Sequence, residues 1–155
     1  MGLFLALSGV VGAGPEEVKS SLSGFAQSHG GEFEFAEGIA DDPNIGVITR
    51  DGSNTTVVYP DGFCEWNEAS KYLSRTLKKT VFSLHIHDDD LWMFVLFHNG
   101  NEMSWFNPIT DYWKELTREE KESRLHLPKN RLRFIGREIK KATNPLLIQR
   151  STSLA

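Results

Sequence analysis

The stretch VFSLHIHDDDLWMFVLFHNGNEMSWF, residues 81–106, decides the fold of this chain. Val81–His87 alternates apolar and polar side chains, which is typical of a strand with one buried face. Leu91–Phe97 is apolar throughout and predicts a central strand, and Met103–Phe106 is the strand that returns. Three consecutive aspartates and the pair Asn99–Gly100 favour tight turns between these strands. Strands joined by tight turns pair antiparallel, so the stretch predicts three adjacent antiparallel strands.

The N-terminal half predicts a strand, a helix and three further strands. Leu3–Leu7 is apolar on both faces, as a buried central strand is. A helix over residues 15–29 is indicated by the proline at its first position and by apolar residues at helical spacing. Glu32–Ala36 alternates strictly and predicts a half-buried strand. The β-branched runs Ile45–Thr49 and Thr55–Tyr59, joined by a turn, predict a hairpin.

A second helix is predicted over Glu65–Lys79, because apolar residues recur on one of its faces. The elements therefore follow the order β-α-β-β-β-α-β-β-β. This order predicts a single α+β domain with a largely antiparallel sheet and its two main helices on one face. We place that domain at residues 1–113. Residues 114–155 form a basic, partly helical C-terminal extension that is free to pack on the domain.

Composition narrows the class of protein. The length of 155 residues and the 39% hydrophobic share predict one globular domain. The single cysteine, Cys64, excludes an internal disulfide and a cysteine-based metal cage, and it favours a reducing compartment. The apolar run Gly2–Gly14 lacks the preceding basic residues of a signal peptide and is shorter than the roughly 20 residues of a membrane span. We therefore expect a soluble cytoplasmic protein that does not contact membranes.

Charge is unevenly distributed along the chain. Residues 1–113 hold 6 basic and 16 acidic side chains, whereas residues 114–155 hold 11 basic and 5 acidic ones. A basic patch in the extension is a hypothetical nucleic-acid site, and its residues are Lys129, Arg131, Arg133, Arg137, Lys140 and Lys141. The acidic domain would repel nucleic acid, so docking of the extension on the domain is the simpler interpretation. We do not expect nucleic acid to be the main partner.

His85, His87 and Asp88 form a hypothetical metal site. The two histidines project from the same face of a strand, and two imidazoles beside a carboxylate are a ligand set for Zn²⁺ or Fe²⁺. A turn centred on Asp89 would leave His98 too far along the next strand to complete this site. The alternative interpretation is a polar sheet face that ends in an acidic turn. We predict no cofactor.

Recognised catalytic motifs do not occur in the sequence. The glycine-rich segment Ser8–Gly14 stands between a strand and a helix, but its spacing matches neither a P-loop nor a dinucleotide fingerprint. Nothing in the spacing of serine, histidine and aspartate assembles a nucleophilic triad. We name no catalytic residue and match the chain to no family motif. The sequence therefore favours a protein that is not an enzyme, and a small metal-dependent hydrolase on His85, His87 and Asp88 is the alternative.

Aromatic residues concentrate late in the predicted domain. Most of them are expected in the core, but alternation cannot bury all of them, and exposed tryptophan and tyrosine are typical of protein interfaces. Our candidate interface residues are Trp105, Tyr112 and Trp113. The sequence thus favours a binding or regulatory protein that recognises another protein. The partner's identity and the oligomeric state do not follow from these patterns.

Overall fold

The sheet and helices are defined by a computed structural model that describes residues 2–35, 42–109 and 117. In chain order the elements are β1 (Leu5–Val10), α1 (Pro15–Ser28), β2 (Val47–Asp51), β3 (Asn54–Val58), α2 (Trp66–Leu77), β4 (Thr80–His87), β5 (Leu91–His98) and β6 (Asn101–Phe106). The six strands form one antiparallel sheet in the order β2-β3-β1-β4-β5-β6. The predicted α+β class and antiparallel sheet are confirmed.

The first strand lies in the middle of this sheet. Leu7 of β1 is opposite Val58 of β3 on one side and opposite Leu84 of β4 on the other. β1 thereby joins the β2–β3 hairpin to strands β4 to β6, each of which pairs with its neighbour in the chain. A strand that is paired on both sides and lies inside a sheet favours an apolar sequence, and β1 has one.

Left-handed residues close both tight turns between β4 and β6. Asp88 and Asp89 have φ angles of +52° and +60°, and Asn99 and Gly100 have φ angles of +51° and +77°. Asp, Asn and Gly are the residues that adopt this conformation at the lowest cost. Both hairpins predicted within residues 81–106 are confirmed.

Both helices cover the same face of the sheet, which we call the helix face. α1 begins after Gly14, whose backbone N–H donates to Oε2 of Glu17 at 2.9 Å. α1 and α2 pack on each other, and α2 also contacts β1 and β4. The core between helices and sheet contains Ala6, Val10, Ala13, Val18, Leu22, Phe25, Val57, Tyr59, Ala69, Leu73 and Val81. Neither helix of the described chain is long and apolar enough to cross a membrane.

The strand predicted at Glu32–Ala36 does not form over residues 32–35, and Ala36 lies outside the described residues. Phe33 instead packs against the core, with its ring 5.9 Å from that of Phe63, while Phe35 is exposed. Alternation is a local pattern, whereas a strand also needs a partner with which to exchange backbone hydrogen bonds. Over residues 2–35 and 42–109 the observed order is therefore β-α-β-β-α-β-β-β, with one strand fewer than predicted.

The second face of the sheet is also apolar, and we call it the outer face. Side chains alternate along each strand, so the residues that do not point to the helices share this face. Its large apolar members on β1, β4, β5 and β6 are Leu5, Leu7, Phe82, Leu84, Ile86, Trp92, Phe94, Leu96 and Phe106. In the described chain both helices lie on the other side of the sheet. A sheet with apolar side chains on both faces is typical of a sheet that is covered on both.

Candidate functional site

Four aromatic rings form a continuous cluster on the outer face. Trp92 and Phe106 have ring centroids 4.9 Å apart, Phe94 and Phe106 are 5.8 Å apart, and Phe94 and Phe82 are 5.2 Å apart. These separations are within the range of favourable aromatic pairs. Trp92 is nevertheless 49% exposed, which makes it the most exposed member of this cluster. We call these four residues the aromatic cluster.

Acidic side chains border the aromatic cluster. Asp88, Asp89 and Asp90 are exposed in the turn that leads into β5, of which Trp92 is the second residue. Carboxylate oxygens of Asp88 and Asp89 accept hydrogen bonds from the backbone N–H groups of residues 2 and 3, at 3.1 and 3.0 Å. Six basic side chains stand against 13 acidic ones in the described residues. The surroundings of the cluster therefore attract cations.

A cavity of about 750 Å³ opens at one end of the helix face. It lies beyond the N-terminal end of α2, between the loop of residues 60–64 and the ends of β1, β4 and β5. Ala6, His85 and Met93 are neighbours across three strands and form its floor. Aromatic side chains of the loop and of α2 contribute its walls. We call it the His85 cavity.

His85 is held in this cavity as a neutral ring. The indole of Trp66 stacks on the imidazole with ring centroids 4.8 Å apart and an angle of 6°. Burial lowers the pKa of His85, and the ring of His87, 5.7 Å away, lowers it further, while the backbone of Leu5 opposes the shift. Nδ1 of His85 is buried and makes no hydrogen bond of normal geometry with the protein. The imidazole is therefore uncharged at neutral pH and retains hydrogen-bonding capacity.

A chain of buried hydroxyl groups lies beside the same cavity. Tyr59 Oη is 2.7 Å from Ser8 Oγ, which is 2.6 Å from Ser70 Oγ. Ser70 Oγ is in turn 2.8 Å from Ser83 Oγ and 2.8 Å from the carbonyl oxygen of Trp66. The chain joins the residue that follows β3 to β1, α2 and β4 across the helix face. It fixes the ring of Tyr59 in the cavity wall and the first turn of α2 above the sheet.

The hypothetical metal ligands are brought together only in part. His85 and His87 are neighbours on β4 in the predicted register, with His85 opposite Met93. Asp88 is directed to the backbone of residue 2. His98 lies at the other end of the sheet, where its Nδ1 is 2.8 Å from Thr80 Oγ1. Within residues 2–35 and 42–109, no three potential ligands converge on one point.

The predicted interface residues are divided between the described residues and the rest of the chain. Trp105 is half-buried opposite Val95, on the side of the sheet that carries the helices. Tyr112 and Trp113 lie outside the described residues, and so does the predicted basic patch with Lys129, Arg131, Arg133, Arg137, Lys140 and Lys141. The interface and nucleic-acid hypotheses at these positions stay predictions.

Trp92, Trp66 and Tyr59 are site residues that the sequence did not single out. The alternation of side chains along β5 could have placed Trp92 on the outer face. Even-numbered residues of β4 and β5 must share one face of the sheet. No comparable signal exists for Trp66 and Tyr59, because their proximity to His85 depends on how four separate segments meet.

Comparisons with protein-family models, with curated proteins and with solved structures found no match to this chain. The outer face and the His85 cavity are therefore the two features that bear on function. These surfaces lie on opposite sides of the sheet, so their roles are separable by substitution.

Proposed function

We propose that the protein is a non-enzymatic binding or regulatory domain that recognises another protein through the outer face. The observation that carries this proposal is the exposure of Trp92, at 49%, within a packed aromatic cluster. Tryptophan is enriched among the residues that dominate binding energy at interfaces, especially where neighbouring side chains exclude water around it. Phe94 and Phe106 are such neighbours.

The continuity of the apolar side chains supports the proposal that a partner protein covers the outer face. Its nine apolar side chains come from four adjacent strands: Trp92 is exposed, Leu96 is buried and the other seven are half-buried. None of the outward positions of β1, β4, β5 and β6 is Asp, Glu, Lys or Arg. Isolated apolar residues are normal on a protein surface, but contiguous patches mark interaction sites. A protein partner buries such a patch without requiring a cavity.

The charge around the cluster indicates the chemistry of the partner. The exposed aspartates of residues 88–90 adjoin Trp92, and the outward positions of strands β1, β4, β5 and β6 carry no basic side chain to balance them. A partner that presents an apolar patch bordered by lysine or arginine complements this arrangement. The opposite charges at the rim would mainly increase the association rate, and burial of the aromatic cluster would supply the affinity.

The geometry favours this function over a metal-dependent hydrolase. A catalytic zinc usually has three protein ligands. In the described residues His85 and His87 have no third ligand nearby, and the carboxylate of Asp88 accepts a backbone hydrogen bond. Metal analysis of the purified protein, alongside a His85→Ala, His87→Ala double variant, tests the alternative. Stoichiometric zinc or iron that is lost in the double variant would favour the hydrolase.

Site-specific photo-crosslinking tests the proposed partner surface. A benzophenone amino acid is placed at position 92 in the full chain, and at Glu68 on the exposed side of α2 as a matched control. In the source cell, position 92 is expected to yield one dominant adduct with another protein, and position 68 is not. The crosslinked peptide identifies the partner, whose affinity is then measured with purified components.

The outcomes distinguish the possible occupants of the outer face. The Trp92→Ser variant is expected to weaken binding of the purified partner at least 30-fold, as loss of about 2 kcal/mol at a binding hot spot implies. Raised salt is expected to slow association. An adduct from position 92 to residues 114–155 of the same chain, or to a second copy, would show that the face is covered without a foreign partner and would overturn the proposal.

A further inference from the structure

The His85 cavity has the dimensions of a small-molecule site. Its volume of about 750 Å³ falls within the roughly 300–1,000 Å³ that ligand pockets span. A single water molecule takes up about 30 Å³ of liquid volume, so the space far exceeds that of a structural water. The cavity is on the helix face and is separated by the sheet from the aromatic cluster on the outer face.

The aromatic walls are held in place by the protein itself. Tyr59 stacks on Phe63 with centroids 4.8 Å apart, and Trp66 stacks on His85 at the same separation. The hydroxyl chain through Ser8 fixes the ring of Tyr59, which is 5% exposed. A planar ligand would therefore meet surfaces that are already oriented, which lowers the entropic cost of binding.

Charge selects between ligand classes. The described residues that line the cavity include no lysine or arginine, and Asp61 is their one carboxylate. Transfer of an anion to such a site has no compensating partner and is costly. The volume is also much larger than that of an aromatic cage closed around one ammonium group. An uncharged ring system fits both the walls and the charge.

We propose that the His85 cavity binds an uncharged aromatic small molecule whose hydroxyl group hydrogen-bonds to His85. The aromatic walls bury the ring system, and the imidazole supplies the polar contact that sets its orientation. His85 lines the cavity and is half-buried, and a neutral imidazole has one ring nitrogen that donates and one that accepts, so it can pair with a hydroxyl group in either role. The side chain of Cys64, the chain's single cysteine, lines the same cavity and is exposed.

2-Naphthol is the probe that tests this proposal on the full chain. In an amide NMR titration, its largest shifts are expected within residues 59–66 and at residues 85 and 93. Bound 2-naphthol is also expected to slow alkylation of Cys64 by iodoacetamide. The anion 2-naphthoate, with nearly the same ring system, is expected to bind at least 10-fold more weakly.

Two variants separate this site from the outer face. His85→Leu keeps most of the side-chain volume and is expected to weaken 2-naphthol binding roughly 2–10-fold, the size of one net hydrogen bond. Trp92→Ser is expected to leave 2-naphthol binding unchanged. Shifts centred on residues 92, 94 and 106, equal binding of the anion, or no binding at millimolar concentration would each overturn the proposal. These results test only the ligand proposal for the His85 cavity. Crosslinking at position 92 tests the proposed partner surface independently.

Discussion

Tyr59 shows how one side chain connects the core with a candidate site. Its ring forms part of the cavity wall, and its hydroxyl lies 2.7 Å from Ser8 in the buried chain of hydroxyls. Burial raises the pKa of Tyr59 to about 12, against a lowering by the hydroxyls of Ser8 and Ser70. The phenol is therefore protonated in the folded protein well above the pH at which an unfolded tyrosine ionises.

This shift predicts a loss of stability at alkaline pH. Between about pH 10 and about pH 12 the folded chain keeps a proton that the unfolded chain has released, so the free energy of unfolding falls as pH rises. A shift of this size corresponds to about 2–3 kcal/mol over that interval. Urea unfolding at a series of pH values measures the loss.

Two phenylalanine variants identify the group responsible. In Tyr59→Phe this component of the alkaline loss is expected to disappear. Tyr72→Phe leaves Tyr59 in place and is expected to retain it. A spectrophotometric titration is an independent check, because the last tyrosine to ionise should be missing in Tyr59→Phe. An unchanged alkaline slope in that variant would contradict the assignment.

The residues of the aromatic surface could be predicted from the sequence only in part. The clustering of aromatics after residue 91 is evident, and the period of two along β5 places Trp92 with Phe94. The sequence pattern instead singles out Trp105 as a candidate interface residue. Its side of the sheet could not be read by simple alternation, because a pairing irregularity beside Leu96 and Phe97 changes the register between β5 and β6. Register shifts of this kind depend on the partner strand.

At the scale of elements, the β5–β6 turn is tied to a helix as well as to its own strands. Gly100 has a φ of +77°, and its backbone N–H donates to Ser74 Oγ of α2 at 3.1 Å. A Cβ atom at position 100 would lie 2.7 Å from the Cβ of Arg75. Glycine is therefore required here for its backbone angle and for the close approach of α2.

Gly100→Ala is predicted to be more destabilising than the same change at Gly30. Gly30 has a φ of +74°, but an added Cβ atom there would meet no atom within 4 Å. Gly30→Ala thus measures the cost of the left-handed conformation alone, about 1–2 kcal/mol. Contact with Arg75 is expected to add about 1–3 kcal/mol in Gly100→Ala. Denaturant unfolding compares the two variants, and equal losses would show that α2 moves aside without cost.

Local sequence patterns predict a strand correctly when its partner strand is also close in the sequence. The three strands from β4 to β6 follow from alternation and turn residues, because each pairs with the next one in the chain. The segment 32–35 has the same alternation but no strand pairing, and Phe33 packs on the core instead. The central place of β1 is a non-local property that alternation does not encode. The His85 cavity is non-local for the same reason.

At the scale of the whole molecule, the buried core of the described residues ends before the C-terminal segment. Its last buried hydrophobic residue is Phe97, and the last described strand ends at Phe106. Residues 114–155 contribute 11 basic and 5 acidic side chains, against 6 and 16 in residues 1–113. The two parts therefore attract each other electrostatically.

A chain that ends at residue 113 is predicted to fold cooperatively. The core cluster and all six strands are retained in it, so circular dichroism should show one thermal transition. Attraction to the basic segment is expected to make the full chain more stable than the shortened one at low salt, with a smaller difference at 0.5 M salt. A broad, non-cooperative transition would show that residues 114–155 belong to the folding unit.

The strand order also has a consequence for biosynthesis. Leu7 pairs with Leu84, which is added to the growing chain 77 residues later. At roughly 5–20 residues per second, the ribosome takes about 4–15 s to make that partner. Before β4 is made, β1 can pair only with β3, so its other edge stays accessible to any factor that binds nascent chains. That edge is closed only when strands β4 to β6 have been added to the chain.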